Sequence, residues 1–124
     1  MILHGNTGMI VYRIQNKNNL GAYESYAIKH NKFSTRSERL RPTPESDGLL
    51  MTLQPHHYFG FRDLTQVKSW FTKEDRRSFR KHGWFLAVYS VPDEYVIKGR
   101  KQVIFHWEKA TLVKKFDPLK LEPQ

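Results

Sequence analysis

The series of short strand-like segments in the last third of this sequence limits its possible folds more than any other feature. Residues 84–91 (WFLAVYSV) are mostly apolar or aromatic, and three further segments of this kind follow at 94–98, 102–107 and 111–116. Short runs rich in Val, Ile, Phe and Tyr, separated by Pro or Gly turns, are typical of β-strands. The C-terminal part of the chain is therefore predicted to form a largely antiparallel sheet.

A further strand and an amphipathic helix are predicted upstream of this series. Residues 9–15 (MIVYRIQ) are rich in β-branched and aromatic side chains, and a cluster of turn-forming asparagines follows them. Asp63 is a suitable N-cap, and the apolar residues after it recur at helical spacing. This spacing predicts a helix over 63–71 that places Trp70 and Phe71 in the core.

A second helix is predicted to follow directly and to carry a strongly basic face. Thr72 and Asp75 resemble a capping box, and Gly83 is suited to end the helix at about residue 82. Phe79 is its one clear core contact, so its basic residues are expected on a solvated face. The order of strands, two or three short helices and more strands predicts an α+β fold with a mainly antiparallel sheet.

The residues between the first strand and the helices carry weaker signals. A short helix is predicted over 22–30 and a short buried strand over 49–53, with a long irregular loop at 31–48 between them. A loop of this length in a compact domain is usually functional or mobile. Residues 57–61 (HYFGF) are predicted to form a strand or an aromatic turn, in which Gly60 indicates a bulge or a close backbone approach.

The length of 124 residues suits one compact domain, 1–124, which is predicted to end in a tail at 118–124. The absence of cysteine excludes disulfides, thiol catalysis and thiolate-bound zinc. His56 and His57 are adjacent and would face opposite sides of an extended segment, so no metal site is predicted. No apolar run is long enough to span a membrane, and we expect a cytoplasmic protein.

The net charge of +9, from 21 Lys and Arg against 12 Asp and Glu, favours an acidic partner. An acidic host protein surface, a nucleic acid and a phosphate-bearing small molecule all fit, and the same charge also favours solubility. Trp84 and other aromatic residues near the basic helix are candidates to stack on bases. The candidates for polyanion binding are the basic residues of that helix and of the long loop: Lys73, Arg76, Arg77, Arg80, Lys81, Arg36, Arg39 and Arg41.

Arg13 lies in the first strand, in the segment YRIQNK, and an arginine at this place can bind phosphate with its planar fork. Together with the segments YFGF and KQVIF, this order resembles the ADP-ribosyltransferase fold. The resemblance implies that Arg13 contacts the phosphates of NAD, that His57 and Tyr58 lie beside the nucleotide, and that Gln102 occupies the region of the catalytic Glu. Because YFGF has no Ser or Thr and Gln102 carries no charge, it implies a relative that binds and does not react.

The sequence also resembles small proteins of bacteriophages and prophages. Our first hypothesis is therefore a basic phage-type accessory protein that binds an acidic host protein or a nucleic acid in the host cytoplasm, and acts by occupying it without a cofactor. The alternative is an ADP-ribosyltransferase-like enzyme or an NAD-binding domain. A third possibility is a structural domain whose charge only keeps it soluble. The oligomeric state is left open.

Overall fold

A computed structural model of the chain describes residues 8–19, 21 and 57–124. The predicted helix at 22–30, loop at 31–48 and strand at 49–53 lie outside the described residues. Short 3-10 turns span Asp93–Tyr95 and Trp107–Lys109. The elements of the described part are β1 (Gly8–Gln15), β2 (His57–Gly60), α1 (Leu64–Trp70), α2 (Lys73–Lys81), β3 (Phe85–Pro92), β4 (Val96–Lys98), β5 (Val103–His106) and β6 (Thr111–Phe116).

The described strands form two three-stranded antiparallel sheets, with the orders β1-β3-β6 and β2-β5-β4. β1 pairs with β3 along its whole length, with Gly8 opposite Pro92 at one end. The two sheets meet where Tyr12 of β1 and Phe61 exchange two backbone hydrogen bonds of 2.7 Å. The predicted α+β class with antiparallel pairing is confirmed, and the strands divide between two sheets because β1 is flanked by a core on each face.

Both helices lie where the sequence predicts them, and their N-terminal caps explain why. Asp63 caps α1 by accepting a hydrogen bond of 2.8 Å from the N–H of Gln66. At the start of α2 the Thr72 hydroxyl accepts from the N–H of Asp75 at 3.0 Å, and the Asp75 carboxylate accepts from the N–H of Thr72 at 3.3 Å. These bonds satisfy backbone donors that have no partner within the helix.

Successive residues of β1 supply two different cores because neighbouring side chains of a strand point to opposite faces. Ile14 packs against the helices, and Val11 packs between the two sheets. The helical core consists of Ile14, Phe61, Val67, Phe71, Phe79, Trp84, Leu86 and Leu121, and the inter-sheet core consists of Val11, Val91, Val103 and Phe105. The first sheet is thus covered by helices on one face and by the second sheet on the other.

Gly60 lies where β2 approaches β1. A Cβ atom built on Gly60 would stand 2.6 Å from Cγ1 of Val11 and 2.8 Å from the carbonyl oxygen of Tyr12. Both distances are too short for real contacts, so a larger side chain would push the strands apart. The close backbone approach predicted from the sequence is present.

Residues 118–124, predicted as a tail, pack against the rest of the domain. Pro118 and Leu121 are buried, and Leu121 belongs to the helical core. The N–H of Gln124 donates to the carbonyl oxygen of Lys115 in β6 at 3.0 Å. Burial of the Leu121 side chain contributes about 1.5–3 kcal/mol to the docking of this segment.

Candidate polyanion-binding site

The basic residues of α2 form two rows on neighbouring sides of the helix. Side chains four residues apart lie one above the other on a helix. Arg76 and Arg80 therefore form one row, and Lys73, Arg77 and Lys81 form the other. The first row contacts the C-terminal segment, whereas the second is exposed to solvent. The two rows consequently have different roles.

The first row holds the segment that follows β6. Nη1 of Arg76 donates to the carbonyl oxygen of Leu119 at 2.7 Å, and Nε of Arg80 lies 3.3 Å from a carboxylate oxygen of Asp117. Burial acts to raise the pKa of Asp117, but hydrogen bonds from the N–H groups of Lys120 and Leu119 and the charge of Arg80 outweigh it and lower that pKa. Arg76 and Arg80, both predicted to bind polyanions, thus contact residues of the same chain.

The second row is the exposed basic surface of the helix. Lys73, Arg77 and Lys81 are all exposed, and none of them forms an ion pair with another residue of the described ranges. With a rise of 1.5 Å per residue, neighbouring cations lie about 6 Å apart along the axis and the row spans about 12 Å. We call these three residues the α2 basic row. It presents three positive charges in a line to solvent.

Arg13, the predicted phosphate ligand, is buried, with only 4% of its surface exposed. Its Nη1 donates to the carbonyl oxygen of Phe59 at 3.0 Å, and its Nη2 donates to that of Asn19 at 3.2 Å. The guanidinium also lies over the Tyr58 ring, 4.1 Å from the ring centroid. A Cβ on Gly21 would stand 2.7 Å from Nη2, so glycine leaves room for the guanidinium. Arg13 ties β1 to β2 and to the turn after β1.

A buried polar network continues from Arg13 along the same face of β1. Nε2 of Gln15 donates to Oδ1 of Asn19 at 3.0 Å, and its Oε1 accepts from the Tyr89 hydroxyl at 2.7 Å. Burial raises the pKa of Tyr89, while the bond with Gln15 and the charge of Arg13 act in the opposite direction. Sequence reasoning missed Gln15. The available signal was a polar residue two positions after Arg13, on the same face of the strand.

The residues expected around a nucleotide are only partly brought together. Arg13 and Tyr58 are in contact, but His57 precedes Tyr58 in β2 and therefore faces the other side of that strand. Gln102 is buried just before β5, three residues before Phe105, the residue opposite Tyr58. The structure thus brings Arg13 and Tyr58 into contact, and it places His57 on the other side of β2 and Gln102 just before β5.

The aromatic residues near the basic helix serve mainly the core. Phe71 and Trp84 are buried, as the spacing predicts for Phe71. Trp70 is half-buried and packs against Phe61, with ring centroids 5.4 Å apart. These rings therefore stabilise the helices by packing in and against the core.

The other three predicted polyanion ligands, Arg36, Arg39 and Arg41, lie outside the described residues. In the part of the chain that the structure describes, no helix has the length and apolar character needed to cross a bilayer. In the same part, no three His, Asp or Glu side chains are grouped so as to hold a metal ion.

Fold and surface together define a basic α+β domain with two antiparallel sheets and a positively charged helix. Residues 9–119 match the family model described as the bacteriophage T4 Y00F protein, and the chain belongs to that family. It is similar to the "Uncharacterized 19.7 kDa protein in motB-dexA intergenic region" of Enterobacteria phage T4, with 41% identity over 56 residues. This match covers 45% of the present chain and 34% of the relative, so the chain spans about a third of the length of the relative it matches. No solved structure matches the chain. The expectation of a small phage protein is confirmed.

Proposed function

We propose that this phage accessory protein binds an acidic surface of a host protein in the host cytoplasm and acts by occupying that surface. The observation that carries the proposal is the α2 basic row, in which Lys73, Arg77 and Lys81 are exposed in one line. A concentrated positive field of this kind attracts an acidic partner and raises its association rate. The net charge of +9 adds attraction at longer range.

The helix that carries the row is fixed in place before any partner arrives. The capping box of Thr72 and Asp75 sets its first turn, and Phe79 anchors it in the helical core. Arg76 and Arg80 fasten its inner side to the C-terminal segment. A surface held in this way loses little conformational entropy on association, so more of the interaction energy appears as affinity.

The small number of cations in the row favours a folded protein over a nucleic acid. Carboxylates repeated every four residues on a partner helix would also stand about 6 Å apart and could face the three cations in register. Nucleic-acid binders commonly make roughly 6–10 phosphate contacts, whereas three would give duplex DNA a salt slope of only about −2.7. The aromatic rings around α2 are engaged in the core instead of forming a base-stacking platform.

The NAD-binding alternative has less support from the geometry. Arg13 already donates to two backbone carbonyl groups and stacks on Tyr58, so its guanidinium serves the packing of the domain. His57 faces the other side of β2, and Gln102 is buried just before β5. The proposed function therefore involves no cofactor and no chemical step.

The test is to reverse the charge of the row and measure which partners are lost. The variant carries Lys73→Glu, Arg77→Glu and Lys81→Glu, and nuclease-treated host lysate is passed over the immobilised wild type and variant. We expect the wild type to retain acidic proteins that the variant does not retain, and the same difference when each retained protein is purified and its Kd is measured. Replacing exposed charges changes stability little, so the variant should remain folded.

The matched control reverses three exposed lysines elsewhere, Lys17, Lys68 and Lys98. It has the same net charge as the row variant, so equal loss of binding in both would show that total charge matters and the row does not. Binding of a 20-base-pair DNA duplex is measured by fluorescence anisotropy in parallel. The proposal fails if the row variant keeps every protein partner, or if it loses only the duplex.

A further inference from the structure

We infer that the outer edge of β6, residues 111–114, is a docking strand for an extended acidic segment of a partner protein. The mode of binding is strand addition, in which the backbone of the partner pairs with the open edge of the sheet. This inference goes beyond the proposed function, because it concerns another surface and depends on backbone pairing instead of on the α2 basic row.

β6 is an edge strand of the first sheet with an unusually apolar exposed surface. Its inner side pairs with β3, with Leu112 opposite Tyr89 and a bulge at Val113. Leu112 is 43% exposed and Val113 is 49% exposed. Within the described ranges, no hydrogen bond reaches the outer edge of 111–114. Exposed apolar side chains beside an open strand edge are the two components that strand addition requires.

The same edge already forms an isolated antiparallel bridge at its far end. The N–H of Gln124 donates to the carbonyl oxygen of Lys115 at 3.0 Å, and Phe116 forms an antiparallel bridge with Pro123. The outward-facing backbone of β6 is therefore in hydrogen-bonding geometry where the C-terminal residues cover it. The stretch 111–114 continues this edge in the same sheet.

The positive charge of β6 favours an acidic partner segment at residues 111–114. β6 carries the exposed residues Lys114 and Lys115 and has no acidic residue. Pairing of two copies through this edge would bring four lysines onto one short ladder, and like charges on neighbouring strands repel. Lysine on an edge strand is a known means of preventing such self-association. Lys114 and Leu112 lie on opposite faces of β6, because they stand opposite the consecutive residues Val88 and Tyr89. An extended segment with alternating acidic and apolar residues would instead place its carboxylates beside Lys114 and its apolar side chains beside Leu112.

The experiment uses three synthetic peptides and the whole protein. The first peptide alternates Glu and Val, the second has the same sequence with every amide N-methylated, and the third alternates Lys and Val. Amide NMR shifts and hydrogen exchange locate the binding site. We expect the Glu–Val peptide to shift and protect the amides of 111–114, and the N-methylated peptide to bind at least about tenfold more weakly, because it has no backbone N–H donor on either edge.

Two variants separate the possible outcomes. Lys114→Glu with Lys115→Glu should reverse the preference, so that the Lys–Val peptide binds better than the Glu–Val peptide. Reversal of the α2 basic row should leave Glu–Val binding at β6 within about twofold, which keeps this inference independent of the proposed function. The inference is overturned if the N-methylated peptide binds equally well, if the shifts lie on α2, if the free protein dimerises through β6, or if the Glu–Val peptide does not bind at millimolar concentration.

Discussion

Replacement of Arg13 by Met tests whether this buried arginine stabilises the fold or serves to bind a ligand. Met preserves most of the side-chain volume and removes the guanidinium, so packing changes little. The change leaves the carbonyl groups of Phe59 and Asn19 without their present donor. Hydrogen bonds from a charged donor contribute about 1.5–3 kcal/mol each, and the contact with Tyr58 contributes about 0.5–2 kcal/mol.

These contributions are partly offset, because Met does not carry the desolvation cost of a buried cation. We expect a net loss of about 2–4 kcal/mol in the free energy of unfolding. At an unfolding entropy near 2.1 cal/mol/K per residue, about 0.26 kcal/mol/K for 124 residues, Tm should fall by about 8–15 °C. Urea unfolding followed by tryptophan fluorescence measures the change, with an unchanged m-value as the sign that the comparison is sound.

The matched control is Arg77→Met, which removes the same group from an exposed position and should change stability by less than about 0.5 kcal/mol. A buried cation whose role is to bind phosphate destabilises the fold, so its removal would leave the protein equally stable or more stable. If Arg13→Met has that effect, Arg13 is a ligand-binding residue and the structural role given to it here is wrong.

Two further perturbations follow from the packing and from the charge network. Gly60→Ala should destabilise the domain by about 1–3 kcal/mol in urea, because its Cβ would meet the Tyr12 carbonyl oxygen at 2.8 Å. Gly83→Ala should lower the free energy of unfolding by only about 1 kcal/mol, because its built Cβ meets nothing within 4 Å although φ is +79°. An equal loss at both sites would refute the clash at Gly60. The lowered pKa of Asp117 stabilises the fold above the ordinary carboxyl pKa, and this contribution is lost as pH falls through the lowered value. Wild type should therefore lose more stability between neutral and acidic pH than Asp117→Asn, and parallel pH profiles would contradict the role of this group.

Local signals explain why the sequence predicts the secondary structure well. The capping box of Thr72 and Asp75 and the N-cap at Asp63 act within three residues, so each is visible in the chain itself. β6 runs over Thr111–Phe116, as predicted, because its apolar and β-branched residues are bounded by breaks in the pattern. Gly60 also gave a local signal, since glycine between two aromatic residues of a strand indicates close backbone approach.

The roles of the arginines could not be predicted in the same way, because they depend on partners far along the chain. Arg13 donates to Phe59, 46 residues away, and Arg76 donates to Leu119, 43 residues away. In the sequence Arg76 differs in no respect from Arg77, its neighbour on the same helix. Only the position of the C-terminal segment divides them into a half-buried support and an exposed charge. A count of basic residues therefore overstates the charge available to a partner.

The segment after β6 links the two surfaces proposed for binding. Asp117 pairs with Arg80 on α2 at 3.3 Å, and the same segment returns to β6, where Gln124 donates to Lys115. The α2 basic row and the open edge of β6 are thus fixed to one another through a few packed residues. If one partner carries both an acidic helix and an extended acidic segment, the second contact forms within an existing complex, at an effective concentration that can reach the millimolar range. Two weakly binding surfaces would then give a tight complex. Asp117→Asn weakens the connection between the two surfaces without changing either one. It should therefore reduce the combined affinity more than either separate affinity.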